Sequence, residues 1–346
     1  MEFNINISEK TLHFKQPAGT SRGIYATRHS WFITITSPEK PNIKGIGECA
    51  PLPNLSCDDI PEYGNILKAL CQHFCLSGNI NYDIMRPYPS MLFGLESALQ
   101  QFNRGGSECL FDTRFGLGEE GIPINGLVWM GSFDEMLVRI EDKMKSGFRC
   151  IKLKIGAIDF EKEIGLIRHI REYFTTEQIE LRVDANGGFT PDNAMNRLER
   201  LAKYDIHSIE QPIKQHQWKE MAMLCKDSPL PIALDEELIG INMPTMKEAL
   251  LDSIHPAYII LKPSLHGGMK GSKEWIELAN QRGIGSWITS ALESNIGLNA
   301  IAHFAAKTYG SNIKMPQGLG TGQLFTDNIK MPIEIRKDAL WFSPNS

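Results

Sequence analysis

The feature that most constrains the fold is a repeat of short apolar runs, separated by charged stretches with helical periodicity, from about residue 122 onward. The runs recur about every 25 to 30 residues, a spacing typical of strands that alternate with helices. We predict strands at 124–129, 150–155, 180–184, 208–211, 232–235, 258–262, 286–290 and near 316–318. Eight strands at this spacing favour a closed parallel α/β barrel, although the count alone leaves an open doubly wound sheet possible.

The first third of the chain has a different pattern. An alternating apolar stretch at 31–36 and a turn-rich stretch at 45–53 precede helical patterns around 60–76 and 90–104, which together predict an α+β domain. We therefore expect an α+β domain at 1–115, a barrel at 116–330 that carries the active site, and a C-terminal segment, 331–346, that packs back on the first domain.

Composition and charge exclude several classes of protein. The 346 residues carry 36 basic and 41 acidic side chains, for a net charge of −5, and show no basic tract that could neutralise phosphates. We expect no nucleic-acid partner. Neither a signal-peptide pattern nor an apolar stretch of membrane-spanning length is present, so we expect a cytoplasmic protein without a membrane partner. The odd number of cysteines, seven without metal-binding spacing, indicates reduced thiols.

Most of the predicted barrel strands end in ionisable side chains. Residues i and i+2 of a strand point the same way, so Lys152 and Lys154 share a face, and in a barrel strand that face is the interior. The carboxyl ends of barrel strands meet at one rim, where such folds place their sites. The residues that we expect at this rim are Lys152, Lys154, Asp184, Glu210, Asp235 and Lys262.

This set of side chains suits one type of chemistry. Three carboxylates on a rigid rim suit Mg²⁺, with Mn²⁺ also possible, and leave coordination positions for water or substrate. A cation between lysines is useful for a carboxylate substrate that loses its α-proton, because the resulting enediolate carries two negative charges. A lysine base must be neutral, so its environment has to lower a pKa that is ordinarily about 10.4. We assign Lys154 as base and Lys152 as its companion charge.

These motifs resemble the enolase superfamily in its muconate lactonizing branch. The resemblance rests on KLKIG from Lys152, DAN from Asp184, EQP from Glu210, DEE from Asp235 and LKPS from Leu261. It implies a modified (β/α)7β barrel of the TIM type, with Asp184, Glu210 and Asp235 as metal ligands and Lys262 as the second catalytic lysine. The amino-terminal segment is similar to the capping domain of that branch, and 47–53 to the loop that closes over the substrate.

Within that branch the chain resembles the o-succinylbenzoate synthase family most, in GECAPLPNLS at 47–56, LDEELIG at 234–240, LKPSLHGG at 261–268 and SALESNIG at 290–297. The resemblance implies a carbon–oxygen lyase of menaquinone biosynthesis that dehydrates a small carboxylate, 2-succinyl-6-hydroxy-2,4-cyclohexadiene-1-carboxylate, to 2-succinylbenzoate. It makes Ser290 and the backbone of Gly318 and Gly320 candidates for binding the succinyl group, with Arg22 as part of a lid. Glu236 stands where many relatives carry serine, and its role stays open.

Alternatives remain at this level. The two lysines also permit an N-acylamino acid racemase or a dipeptide epimerase, in which Lys154 and Lys262 act as bases on opposite faces. A catalytically silent binding barrel has no reason to retain mutually repelling charges at its mouth. A Schiff-base aldolase would not require the carboxylates. The oligomeric state is not predicted.

Overall fold

The structure, a computed structural model, describes residues 1–20, 23–129, 132–156 and 159–344. The amino-terminal part contains an antiparallel sheet in the order β1-β2-β3, packed against helices. Its elements are β1 (Asn4–Thr20), β2 (Gly23–Thr36), β3 (Lys44–Cys49), α1 (Tyr63–Ser77), α2 (Tyr82–Met85) and α3 (Pro89–Asn103). The two longer helices confirm the predictions at 60–76 and 90–104.

Helix α3 lies directly on β3, and two glycines permit the close approach. A Cβ on Gly47 would lie 1.8 Å from the carbonyl oxygen of Gly94, and one on Gly94 would lie 2.2 Å from Cys49 Sγ. No side chain fits in these positions. The contact fixes where the chain leaves β3 and enters the loop that begins at Ala50.

The rest of the chain, as far as the structure describes it, alternates parallel strands with seven helices. After a short strand, β4 (Ile122–Pro123), the parallel strands β5 to β11 form a seven-stranded sheet in chain order. They are β5 (Gly126–Val128), β6 (Cys150–Lys154), β7 (Glu180–Asp184), β8 (Ser208–Glu210), β9 (Ile232–Leu234), β10 (Tyr258–Leu261) and β11 (Gly285–Ile288). The helices are α4 (Phe133–Lys145), α5 (Phe160–Tyr173), α6 (Pro191–Leu201), α7 (Trp218–Asp227), α8 (Pro244–Ile254), α9 (Gly268–Gln281) and α10 (Asn295–Tyr309), with 3₁₀ turns at Ala202–Tyr204, Glu236–Leu238 and Gly320–Gln323.

The stretch 316–318 connects the two edges of this sheet. Gln317 forms a parallel bridge with Ile124, and Gly318 forms one with Thr289, just beyond β11. Gln317 N–H donates to the carbonyl of Pro123 at 2.8 Å, and Gly318 N–H donates to that of Ile288 at 2.8 Å. The predicted α/β barrel with an amino-terminal α+β domain is therefore confirmed, and the eighth strand position is a pair of bridges.

The C-terminal residues form a hairpin, β12 (Ile333–Arg336) and β13 (Ala339–Phe342), that pairs with β4. Phe342 lies 6.0 Å from Phe115, ring centroid to centroid. The hairpin thus joins the start of the barrel and the linker before it. The division at 115/116 and 330/331 stays a prediction. Among the described residues, no helix has the length and apolarity needed to cross a membrane.

Candidate active site

A cavity of about 360 Å³ lies at the carboxyl ends of the barrel strands, beneath the loop that follows β3. Three neighbouring strands place their charged ends side by side, because Lys154 of β6 is in register with Asp184 of β7, which is in register with Glu210 of β8. The cavity wall includes most of the predicted site: Lys152, Lys154, Asp184, Glu210, Lys262, Ser290, Gly318 and Gly320.

The first lysine pair faces the interior, as the alternation along β6 predicts. Lys152 Nζ lies 2.9 Å from Asp184 Oδ2 and also contacts the Glu210 carboxylate. Lys154 Nζ lies 3.1 Å from the same Asp184 oxygen. The intervening Ile151 and Leu153 are fully buried in the core between strands and helices. Asp184 is therefore shared by two ammonium groups.

The second lysine approaches from another side of the barrel. Lys262 follows β10, which is separated from β6 by three strands, and its ammonium group forms an ion pair with the Asp235 carboxylate at the end of β9. The backbone N–H of Lys262 donates to His266 Nδ1 at 2.9 Å, which fixes the start of the following turn. Asp235 is fully buried. The structure thus brings the six predicted charged residues into two adjoining ion-pair groups.

Burial and neighbouring charges shift the pKa values of Lys152 and Lys262 in opposite directions. Burial lowers the pKa of Lys152, but the charges of Asp184, Glu210 and Asp235 outweigh it and hold that pKa above its ordinary value. The pKa of Lys262 is likewise raised, since Asp235 and Glu210 outweigh burial. The neighbouring carboxylates thus favour the protonated form of both lysines.

The pKa values of the three carboxylates shift in different directions, because their charged neighbours differ. Burial raises the pKa of Asp184, but the charges of Lys152 and Lys154 reverse this and leave it lowered. The pKa of Asp235 is likewise lowered, because the charge of Lys262 outweighs the effect of burial. The pKa of Glu210 is raised, because burial and the charge of Asp184 exceed the attraction of Lys152. Such divergence among neighbouring groups is typical of active sites.

The donor set fits a hard divalent cation. Among the described residues, neither Glu210 Oε1 nor Asp235 Oδ1 has a hydrogen-bond partner, although both are buried. Buried carboxylate oxygens without donors carry a desolvation cost that a bound cation offsets. The described part of the chain shows no preassembled group of three or more metal-ligating side chains, because lysine ammonium groups are the partners of the three carboxylates.

A polar chain that the sequence only partly indicated extends from Lys154. Its Nζ donates to Asn186 Oδ1 at 2.6 Å, and Asn186 Nδ2 donates to Glu236 Oε1 at 3.0 Å. Asn186 has a φ of 44°, which asparagine tolerates better than most residues. Burial, with the charge of Asp235 next, raises the pKa of Glu236 to about 7. Glu236 therefore belongs to the buried site rather than to an exposed helix start.

The predicted substrate-binding residues have different surroundings. Ser290 Oγ donates to Glu293 Oε2 at 2.5 Å and accepts from Thr321 Oγ1 at 2.9 Å. The N–H of Gly318 donates to the carbonyl of Ile288 where the barrel closes, so this N–H is not available to a substrate. Gly320 lines the cavity at the start of a 3₁₀ turn. Arg22 lies outside the described residues.

Part of the remaining wall is apolar. Leu52 and Leu55 from the amino-terminal domain face Trp129, Leu292 and Leu324 from the barrel loops around the same cavity. Lys154 Nζ lies 5.8 Å from the centroid of the Trp129 ring, within the range of a cation–π contact. A cavity with a charged floor and an apolar rim suits a small carboxylate that carries a hydrocarbon ring or chain.

Comparisons with known proteins agree with this architecture. Residues 135–338 match the family model described as "Enolase C-terminal domain-like". The chain is 46% identical to the o-succinylbenzoate synthase of Desulfotalea psychrophila over 349 aligned positions, which cover 92% of this chain and 93% of that protein. It superimposes on the crystal structure of MenC from D. psychrophila with a TM-score of 0.84 and 40% identity, covering 99% and 100% of the two chains.

More distant similarity extends to epimerases. The L-Ala-D/L-Glu epimerase of Bacillus subtilis is 28% identical over 181 residues, 52% of this chain and 48% of that protein. A dipeptide epimerase from Enterococcus faecalis, complexed with Mg and the dipeptide L-Leu-L-Tyr, has the same fold with a TM-score of 0.83, 19% identity and coverage of 99% and 98% of the two chains. At that identity the likeness shows the fold alone.

Proposed function

The chain belongs to the o-succinylbenzoate synthase family of the enolase superfamily, and from this premise we propose that it dehydrates 2-succinyl-6-hydroxy-2,4-cyclohexadiene-1-carboxylate to 2-succinylbenzoate. The observation that carries the proposal is the 46% identity over 92% of the chain. The cavity agrees with it, because it has room for a six-membered ring between Lys154, at the end of β6, and apolar side chains of its wall.

Lys154 is the base in this proposal. It removes the proton on the ring carbon next to the carboxylate, a carbon–carbon double bond forms, and the bond to the hydroxyl group breaks. The protonated Lys154 then gives its proton to the leaving hydroxyl, which departs as water. One residue thus both accepts and returns the proton, and Asn186 and Asp184 hold its Nζ in place.

Lys152 and Lys262 supply fixed positive charge. The carboxylates around them raise the pKa of both and favour their protonated forms, so each attracts the negative charge that develops on the substrate carboxylate. Because three strands lie between β6 and β10, Lys262 reaches the ring from a different side than Lys154. A cation–π contact between Lys262 and the ring would contribute about 1 kcal/mol.

Asp184, Glu210 and Asp235 would hold Mg²⁺, or Mn²⁺ in its place. The bound ion supplies positive charge that stabilises the substrate carboxylate as the α-proton leaves. Glu210 Oε1 and Asp235 Oδ1 accept no hydrogen bond from the described residues. They support this assignment, since each is a buried oxygen of the kind that a hard cation binds.

The proposal is tested by an ultraviolet assay of the purified protein with the cyclohexadiene carboxylate and Mg²⁺. Formation of the aromatic product changes the chromophore, so turnover is read directly. We expect turnover of this substrate to exceed that of an N-succinylamino acid or a dipeptide. Fast turnover of either of those compounds, without aromatisation of the cyclohexadiene, would contradict the proposal.

The second candidate is an N-acylamino acid racemase or a dipeptide epimerase. It is favoured by one observation, that Lys154 and Lys262 both reach the same cavity from different strands. Solvent deuterium separates the candidates. Dehydration requires Lys154 alone as base, whereas racemisation with solvent exchange at both faces requires both lysines. Incorporation of deuterium that Lys262→Ala abolishes would favour the second candidate.

A further inference from the structure

Arg28 is a buried cation that the proposed chemistry does not use. It lies on β2, only 1% exposed, and its guanidinium donates to backbone carbonyls alone among the described contacts. Nε donates to Leu292 O at 3.2 Å and Nη2 donates to Ala50 O at 2.5 Å and to Ala291 O at 3.4 Å, while Nη1 donates to Pro51 O. A planar fork with five N–H groups is suited to such a set of acceptors.

These carbonyls belong to two different walls of the cavity. Ala50 and Pro51 precede Leu52, which lines the cavity from the amino-terminal domain. Ala291 and Leu292 line it from the loop after β11. One side chain therefore connects two segments more than 200 residues apart in sequence. We refer to these four contacts as the Arg28 clamp.

The barrel side of the clamp has a strained backbone. Leu292 has a φ of 66°, in the left-handed region that ordinary side chains avoid. A conformation of this kind persists only where the surrounding contacts determine it. Here Leu292 N–H donates to Ser290 Oγ at 3.1 Å, and its carbonyl accepts from Arg28.

Two buried glutamates complete the surroundings. Glu293 accepts from Ala291 N at 2.7 Å and from Ser290 Oγ, and Glu48 accepts from the backbone N–H groups of Ser294 at 3.0 Å and Gly297 at 2.9 Å, at the start of α10. Burial lowers the pKa of Arg28, and the charges of Glu293 and Glu48 oppose that effect. The loop between β11 and α10 is thus held from both of its ends.

We propose that Arg28 is a positioning residue for substrate specificity: the Arg28 clamp keeps Leu292 in its strained conformation and sets the separation between the Leu52 and Leu292 walls. The walls meet the part of the substrate remote from the lysines, which in the proposed function is the succinyl chain. The inference rests on the proposed function for the identity of that chain, but not for the clamp itself.

The first test is Arg28→Lys, which retains the charge but cannot reach carbonyls on both walls. We expect KM for the cyclohexadiene substrate to rise about tenfold while kcat changes less than about threefold, because the lysines and carboxylates are not displaced. Hydrogen exchange of the segment 289–294 is expected to accelerate. Arg86→Lys is the matched control, since Arg86 also connects the two domains, through Glu274 and Asn242 O, away from the cavity wall.

The second test separates backbone strain from loss of a side chain. Leu292→Ala and Leu292→Gly both remove the leucine side chain, but only glycine adopts a φ of 66° without cost. We expect the rise in KM caused by Arg28→Lys to persist in the Leu292→Ala background and to be about fivefold smaller in the Leu292→Gly background.

Three outcomes would overturn the inference. One is an unchanged KM and unchanged exchange of 289–294 in Arg28→Lys, even if its thermal stability falls. Another is an equal effect of Arg86→Lys on KM, and the third is an equal penalty of Arg28→Lys in the alanine and glycine backgrounds. If the wild-type protein lacks synthase activity the proposed function fails, and exchange of 289–294 in Arg28→Lys, compared with Arg86→Lys, still decides whether the clamp exists.

Discussion

Lys154 Nζ donates to Asn186 Oδ1 across 2.6 Å, which is shorter than its 3.1 Å contact with Asp184. The asparagine is itself held by Glu236, so the base has a neutral orienting partner beside its charged one. The amide therefore directs the lysine Nζ without adding a second negative charge beside it.

Replacing Asn186 tests this orienting role. Asn186→Gly removes the amide and keeps the left-handed backbone, so we expect kcat to fall about tenfold with little change in melting temperature. Asn186→Ala removes the amide and also places an ordinary residue at a φ of 44°, so both kcat and melting temperature are expected to fall. Steady-state kinetics and thermal unfolding of both variants decide the matter, and an unchanged kcat in Asn186→Gly would refute the role.

Metal binding is expected to stabilise the folded chain. At a Mg²⁺ concentration 100 times the dissociation constant, the gain in free energy of unfolding is about 2.7 kcal/mol, and thermal unfolding with and without Mg²⁺ measures it. Glu210→Gln removes a charge from the ligand set and should abolish most of the gain. The control is Glu96→Gln. Glu96 is a buried carboxyl that accepts from the amides of Met269 and Lys270, and its variant should retain the stabilisation by Mg²⁺. An equal Mg²⁺ response in both variants would exclude Glu210 as a ligand.

Two glycine-to-alanine changes are predicted to have opposite effects on stability, because Gly47 lies at the contact of β3 with α3 and Gly64 does not. Gly47→Ala places a methyl group 1.8 Å from a backbone oxygen and should lower the free energy of unfolding by about 1–3 kcal/mol or more. Gly64→Ala lies in α1, where the new methyl group meets Trp31 Nε1 at 3.7 Å, and should raise it by up to about 1 kcal/mol. Urea unfolding measures both, and a neutral Gly47→Ala would show that the two elements can separate without cost.

Acid sensitivity is predicted from His303 on α10. The ring is fully buried, 5.1 Å from Phe115 and 4.8 Å from Phe342 by centroids, and burial lowers its pKa to about 3. A histidine whose folded-state pKa lies below its unfolded value of about 6.5 costs stability as pH falls from 6.5 toward 3. His303→Phe should therefore gain melting temperature relative to wild type progressively below pH 6.5, and a pH-independent difference would show that the ring is not buried in its neutral form.

Much of the barrel and its charged rim could be predicted because both depend on local patterns. The βα spacing determines strand order, and alternation along β6 places Lys152 and Lys154 on one face. Carboxylates at successive strand ends then converge, since neighbouring parallel strands are in register at Asp184 and Glu210. These relationships follow from strand geometry without knowledge of distant contacts.

The contacts that lay beyond prediction join residues far apart in sequence. Arg28 and Glu48 occur in ordinary strand patterns, and nothing local indicates that each contacts the loop before α10. The engagement of Ser290 Oγ by Glu293 depends on a strained turn at Leu292 that no composition rule predicts. The role of Glu236 could not be predicted for the same reason, because its burial beside Asn186 arises from the packing of two loops.

The most direct test of the central claim, that Lys154 moves the proton in a dehydration, is the ultraviolet assay applied to Lys154→Ala. We expect aromatisation of the cyclohexadiene carboxylate to fall by about 10²–10⁴-fold or more, with Mg²⁺ binding retained and with Lys203→Ala, an exposed lysine, at the wild-type rate. Full activity in Lys154→Ala would contradict the assignment of the base and, with it, the proposed mechanism.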